Sequence, residues 1–171
     1  DGSVYSHSVC DHAAWVAGRT DAGVHALHQV CHVEIPDGVK LGKLDSLLKR
    51  VQGTLRTDDI ALHQISLAPE GFDARFSALS RTYEYRIDDR GSKRNPLHHL
   101  FTYRSSFSLD DAAMNAVSQK LCGLHDFAAF CRPKPGATTI RHLTHFAWTR
   151  DADGILTGSV IADAFCHSMV R

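Results

Sequence analysis

Hydrophobic and polar residues alternate with a period of two along several stretches of this chain, and with a helical period along two others. Residues 30–35, Val-Cys-His-Val-Glu-Ile, alternate as a strand does, and follow the short apolar run Trp15-Val16-Ala17. Leu41, Leu44, Leu47, Leu48 and Val51 recur at helical spacing, with Gly53 placed as a C-terminal stop. Residues 60–67 read as a strand and 72–80 as a connection. Over 81–87 the alternation is clean: Tyr83, Tyr85 and Ile87 share one face, and Thr82, Glu84 and Arg86 share the other. A further strand is predicted over 98–104, beyond the polar loop 88–95. Ser108-Leu109-Asp110-Asp111 then opens a second helix with a serine cap and an acidic first turn; Gly123 ends it. Two long alternating runs, 140–149 and 155–163, flank the hairpin signal Asp151-Ala152-Asp153-Gly154.

Two helices flanked by strands predict an α+β protein, with helices on one face of a largely antiparallel sheet. A chain of 171 residues can bury one core or two small packed halves. Hydrophobic and charged fractions of 43% and 22% are those of a globular protein. No segment reaches the roughly 18 apolar residues of a membrane span, and no signal-peptide pattern is present. The five cysteines are an odd number without a C-x-x-C pair, which predicts reduced thiols and a cytoplasmic setting.

A net charge of zero argues weakly against a nucleic-acid partner, but the charge is unevenly spread. Residues 81–104 carry Arg81, Arg86, Arg90, Lys93, Arg94 and Arg104 against three acidic residues. Residues 127–141 add Arg132, Lys134 and Arg141 with none. A local basic face can bind phosphates although the total cancels.

The candidate chemistry centres on Asp21, in a glycine-bearing loop two residues after Arg19 and two before Gly23. A carboxylate between strands is rigidly held yet reachable, and a nearby arginine keeps such a group ionised. The same residues are ordinary turn formers, so spacing leaves both readings open. His25, His28 and His32 come closest to metal-ligand spacing, but a strand over 30–35 separates them, and no metal is expected. Neither Cys31-His32 nor Cys166-His167 is a ready dyad, because neighbours on a strand point to opposite faces. The chain contains no Walker loop, G-x-G-x-x-G, G-x-S-x-G or H-E-x-x-H motif.

Gly18-Arg19-Thr20-Asp21-Ala22-Gly23-Val24-His25 resembles the signature of the TruA-type tRNA pseudouridine synthases. Phe72-Asp73-Ala74-Arg75-Phe76-Ser77-Ala78 with Arg81-Thr82-Tyr83-Glu84-Tyr85 resembles the family's second motif. Ala162-Asp163-Ala164-Phe165-Cys166-His167-Ser168-Met169-Val170-Arg171 resembles its third. The three motifs stand in the family's order across most of the chain.

The resemblance implies two related α/β halves, 1–76 with the aspartate loop and 77–171 with the tyrosine and arginine motifs. Their sheets would merge, with the active-site cleft across the shared face. It implies an isomerase that breaks the bond from C1′ to uracil N1, turns the base and joins C1′ to C5, in the anticodon arm of tRNA. No cofactor is required; the partners are tRNA and a second copy of the chain. Asp21 carries the chemistry as nucleophile or base, Arg171 pairs with it as a buried partner, and Tyr83 stacks on the target base. Arg19, Arg81, Arg94, Arg132, Lys134 and Arg141 are the expected RNA contacts. A disabled tRNA-binding module of the same fold is the alternative. Against the family pattern the chain reads as incomplete near 3–13, by on the order of twenty residues at usual connection lengths, and after 171.

Overall fold

A computed structural model describes residues 14–89, 91–93, 95–132 and 134–171. The expected break within 3–13 therefore lies outside the described residues. The chain forms two compact units: the described residues through Arg19 with His28–Ser77, and Thr20–Leu27 with Ala78–Arg171.

In the first unit, β1 (Trp15–Val16) pairs antiparallel with β2 (Cys31–His32). The strand expected over 30–35 is thus only two residues long. Side chains replace the rest of the ladder: Gln29 Nε2 donates to Gly18 O at 2.6 Å, and its Oε1 accepts from Gly18 N at 3.2 Å. The Trp15 and His32 rings stack 5.1 Å apart, and His32 Nδ1 accepts from the buried Ala74 N at 2.9 Å. Helix α1 (Leu44–Leu55) begins later than its leucine spacing predicts and runs through Gly53, ending where Arg56 turns left-handed at φ 46°. Residues 60–67 form no strand, because the main chain there bonds to a helix side chain. Gln52 Nε2 donates to Ile60 O at 3.1 Å, and Leu62 N donates to Gln52 Oε1 at 2.6 Å.

The second unit is built on a five-stranded sheet of order β4-β3-β7-β6-β5. Its strands are β3 (Arg81–Asp88), β4 (Tyr103–Arg104), β5 (Gly123–Asp126), β6 (Ile140–Arg150) and β7 (Leu156–Ala162). All pairings are antiparallel except β3 with β4. The class is α+β, as expected, but the described strands form a two-stranded and a five-stranded sheet rather than one merged sheet. The strand expected over 98–104 shrinks to β4, because Asn95 caps a 3-10 turn, Pro96–His98, by accepting from Leu97 N.

Leu156, Gly158, Val160 and Ala162 put the covered face of β7 inward. β6 keeps its own core residues on that face through a bulge: Leu143 opposes Ala162, yet His145 already opposes Ile161. The extra residue, Thr144, brings Leu143 and Phe146 to the same side, a phase change that simple alternation does not foretell. β5 covers only the first part of β6, so α2 (Asp111–Lys120) satisfies the edge beyond it. Asn115 accepts from Trp148 N at 2.8 Å and donates to Trp148 O at 2.9 Å, while Trp148 Nε1 donates to Ser118 Oγ at 3.0 Å. The cap of α2 is Asp110, which accepts from Ala113 N, and not the expected Ser108. Residue 109 is held outside the helix by Asp89 and Arg150.

The Trp148 ring lies over Gly158, its cross-strand partner, where a Cβ would stand 2.7 Å from the indole. Because that indole is pinned to α2, Gly158→Ala is expected to cost about 1–3 kcal/mol as overpacking. Denaturant melts of the variant against wild type measure it.

Phe127, Leu143, Val160 and Ala162 form the core, and Phe165, Cys166 and Met169 after β7 fold back onto it. There Cys131 and Cys166 are joined as a disulfide, with Cα atoms 5.6 Å apart. This corrects the expectation of reduced thiols: an odd count does not prevent pairing, and the fold brings together two cysteines 35 residues apart. Cys31 and Cys122 are free. Among the described residues no helix is long and apolar enough to cross a membrane.

Candidate active site

Asp21 opens a tight turn in which Val24 N donates to Asp21 O at 3.0 Å. Gly23 holds φ 77° at the third position of that turn, where a type II turn demands a left-handed residue. A side chain there would be strained, so the glycine of the signature has a conformational reason. His25 anchors the far end: its Nε2 lies 3.3 Å from Leu100 O, and its ring meets Phe101 edge-on. The loop that carries Asp21, expected in the first half, groups with the second unit.

Arg171, 150 residues away in sequence, reaches the same loop. Its Nη2 donates to Asp21 Oδ2 at 2.6 Å, a charge-assisted hydrogen bond. The pair is not buried as expected, since the two side chains are 50% and 40% exposed. The second carboxylate oxygen, Oδ1, faces His167 Nε2 at 3.8 Å. Asp21, Arg132, His167, Ser168 and Arg171 line an open cleft of about 460 Å³.

The strand-to-tail segment of the third motif is held by several bonds. Asp163 Oδ1 accepts from His142 N and Ala164 N, and Arg81 Nη1 donates to Asp163 O at 3.1 Å. Met169 N donates to Cys166 O at 3.1 Å, closing a turn in which Ser168 takes φ 68°. A non-glycine residue in that region stores strain, which is uncommon away from sites that use it. Arg132 N donates to His167 O at 3.0 Å and so ties the 131–132 segment to this turn.

Tyr83 sits on β3 opposite Val160, with its ring packed edge-on against Phe165 at 4.8 Å. It does not line the cleft. Tyr85, two residues on, shares its face and stacks with Tyr103. Burial pushes the Tyr85 phenol up, the neighbouring Tyr103 adds to this, and Arg171 opposes it.

Of the expected RNA contacts, Arg132 lines the cleft and Lys134 is exposed two residues on. Arg141 folds back on its own segment, donating to Ile140 O and Thr138 O. Arg81 is at the start of β3, Arg19 is exposed in the first unit, and Arg94 lies outside the described residues. His167 and Ser168 are the cleft residues that the sequence did not single out as site residues. Their signal was present in the motif ending at Arg171, but the strand geometry assumed for Cys166-His167 hid it. That segment is a turn. Among the described residues, no group of three or more potential ligands is placed to hold a metal ion.

The arrangement offers an anchored carboxylate with one oxygen engaged and one open to the cleft, two guanidinium groups and an imidazole. It suits a nucleophile or base acting on a ligand with an anionic backbone. A family model described as tRNA pseudouridine synthase matches residues 117–171. The tRNA pseudouridine synthase A of Leifsonia xyli subsp. xyli is 50% identical over 169 residues, covering 91% of this chain and 59% of the relative. That of Frankia casuarinae is 52% identical over 158 residues, covering 91% and 56%. That of Streptomyces avermitilis is 47% identical over 156 residues, covering 91% and 54%. The chain thus spans less than two thirds of the length of these relatives.

Proposed function

Because the chain belongs to the tRNA pseudouridine synthase family, we propose that the protein isomerises uridine to pseudouridine in the anticodon arm of tRNA, without a cofactor. The observation that carries this reading is the Asp21–Arg171 pair lining the cleft. Asp21 acts on the ribose or base as nucleophile or base, and Arg171 holds its carboxylate. Tyr83 stacks on the target uracil, a contact worth about 1–3 kcal/mol. Arg19, Arg81, Arg94, Arg132, Lys134 and Arg141 bind the RNA backbone and offset the cost of extruding the base. The protein works in the cytoplasm as a homodimer.

The test is incubation of the full-length protein with unmodified tRNA, followed by carbodiimide-dependent primer extension. Stops at uridines of the anticodon arm are expected; tRNA bound but unchanged would overturn the reading in favour of a disabled module. Arg171→Ala should reduce turnover sharply while changing stability by only about 0–1 kcal/mol, the usual worth of an exposed ion pair. Parallel rate and denaturation measurements separate the two effects.

RNA affinity should depend on a local basic face, since the net charge is zero. Each phosphate contact adds about 0.7–0.9 to the slope of log affinity against log salt. Replacing Arg94, Arg132 and Lys134 with alanine should flatten that slope by about 2 to 3, for modified and unmodified tRNA alike. Titrations at several salt concentrations measure this; a slope equal to wild type would place the RNA face elsewhere.

A further inference from the structure

We propose that His167 is the base that takes the C5 proton of the target uracil, the step that completes pseudouridine; this rests on the synthase reading above. Once C1′ is joined to C5, that carbon carries both the new bond and its original hydrogen, and N1 is doubly bonded to C6. The C5–H bond then breaks. Its electron pair restores the C5–C6 double bond, the N1–C6 pair returns to N1 as a lone pair, and N1 takes a proton from water. The proton from C5 passes to His167 Nε2 and on to solvent, so the net change is an isomerisation.

Geometry selects the imidazole. Whichever atom Asp21 acts on, the bond at C1′ breaks and re-forms in front of it, and C5 ends one bond from C1′, so the base must reach the space in front of the same carboxylate. Oδ2 is held by Arg171 at 2.6 Å, which leaves Oδ1 facing that space. His167 Nε2 stands 3.8 Å from Oδ1. The other cleft side chains do not serve. Arg132 and Arg171 have no lone pair to offer, and Ser168 is a weakly basic hydroxyl. Cys166, beside His167, is bound to Cys131, and neither Tyr83 nor Tyr85 lines the cleft.

The backbone fixes the residue that carries the imidazole. Arg132 N holds His167 O at 3.0 Å, the disulfide tethers the preceding residue, and Ser168 accepts a left-handed φ of 68° directly after it. A general base must be held within hydrogen-bond reach of its proton. The anchored turn sets where residue 167 stands, and from there its ring approaches the carboxylate to 3.8 Å.

The experiment compares full-length wild type, His167→Phe and His167→Gln on tRNA transcripts bearing hydrogen or deuterium at uracil C5. Loss of a general base typically costs about 100- to 10,000-fold in rate. Both variants should lose rate in that range in kcat, with KM within a few-fold of wild type. A primary deuterium isotope effect larger than that of wild type should appear on the residual kcat, because proton removal becomes limiting. In His167→Ala, added imidazole should restore turnover. Unchanged kcat, or a loss confined to KM with no new isotope effect and no imidazole rescue, would overturn the assignment while leaving the synthase reading intact. A folded wild-type protein that released no hydrogen from C5 would overturn that reading and this inference together. Circular dichroism on each variant identifies misfolding, and rescue of the alanine variant decides the matter if the phenylalanine variant misfolds.

Discussion

Asp21→Asn is expected to abolish pseudouridine formation while leaving affinity for tRNA within a few-fold of wild type. The amide keeps the shape of the side chain, and its oxygen can still accept from Arg171, now at 2.6 Å from Oδ2. It loses the charge that attack on the ribose or proton removal requires. Removal of a residue that acts as part of a catalytic unit typically costs on the order of 10⁴- to 10⁶-fold in kcat, far more than any packing change at a half-exposed loop. Binding should survive, because a carboxylate contributes no attraction to phosphates and the basic residues remain. Fold stability should also survive: the ion pair is 40–50% exposed, and exposed pairs are worth about 0–1 kcal/mol. Single-turnover rates and filter-binding titrations on the same preparation test both halves. A variant that converted uridine at a substantial fraction of the normal rate would remove Asp21 from the chemistry.

The parts of this architecture legible in the sequence are those where one face alone decides the structure. β3, β7 and the 151–154 hairpin follow from alternation and from Asp151, whose Oδ1 accepts from Asp153 N and Ile155 N, and β6 follows in its extent though not in its register. Elements governed by side chains bonding to distant main chain were not legible. Gln52 prevents a strand over 60–67 by capturing its backbone groups, and Asp89 draws residue 109 out of the second helix. The bulge at Thr144 was equally hidden, because the pattern reads as continuous on either side of it.

The site divides in the same way. Asp21 and Arg171 stand at fixed places in recognisable motifs, yet only the fold brings them together from opposite ends of the chain. His167 escaped notice because alternate-face reasoning holds for a strand, and residues 166–169 form a turn. The Cys131–Cys166 bond escaped because parity carries no information about a single long-range contact. Charge counting gave Arg132, which lines the cleft, and Arg141, whose guanidinium is engaged by its own backbone, equal weight.

Asp89→Ala is expected to be the most destabilising single substitution in the five-stranded unit, although Asp89 lies in no motif. The residue is 1% exposed, and its carboxylate accepts four bonds: Arg150 Nη1 at 3.0 Å, Arg150 Nη2 at 3.2 Å, Gly91 N at 3.0 Å and Leu109 N at 2.9 Å. Arg150 also donates to Gly154 O and Leu109 O, so the pair joins the end of β3, the start of α2 and the hairpin. Removing the carboxylate strands a largely buried guanidinium and two main-chain donors. Breaking one partner of such a pair costs about 3–5 kcal/mol, a large share of the roughly 5–15 kcal/mol that holds a domain together. Replacing both residues with apolar ones of similar volume should cost less than the single change, because no charge is left unpaired. The pair also sets an acid dependence. Hydrogen bonding from Arg150, against the opposing effect of burial and with help from Leu109 and Gly91, holds the Asp89 carboxyl below the usual range. A depressed folded-state value stabilises at pH above the unfolded value, and the stabilisation is lost as pH falls through the folded value. Wild type should therefore keep this contribution at neutral pH and lose it progressively below the ordinary aspartate range. The Asp89→Ala protein should be weaker at neutral pH and show a correspondingly shallower acid slope. Urea melts between neutral pH and pH 3 measure both; equal midpoints for the two proteins at neutral pH would show that the pair contributes nothing to the fold.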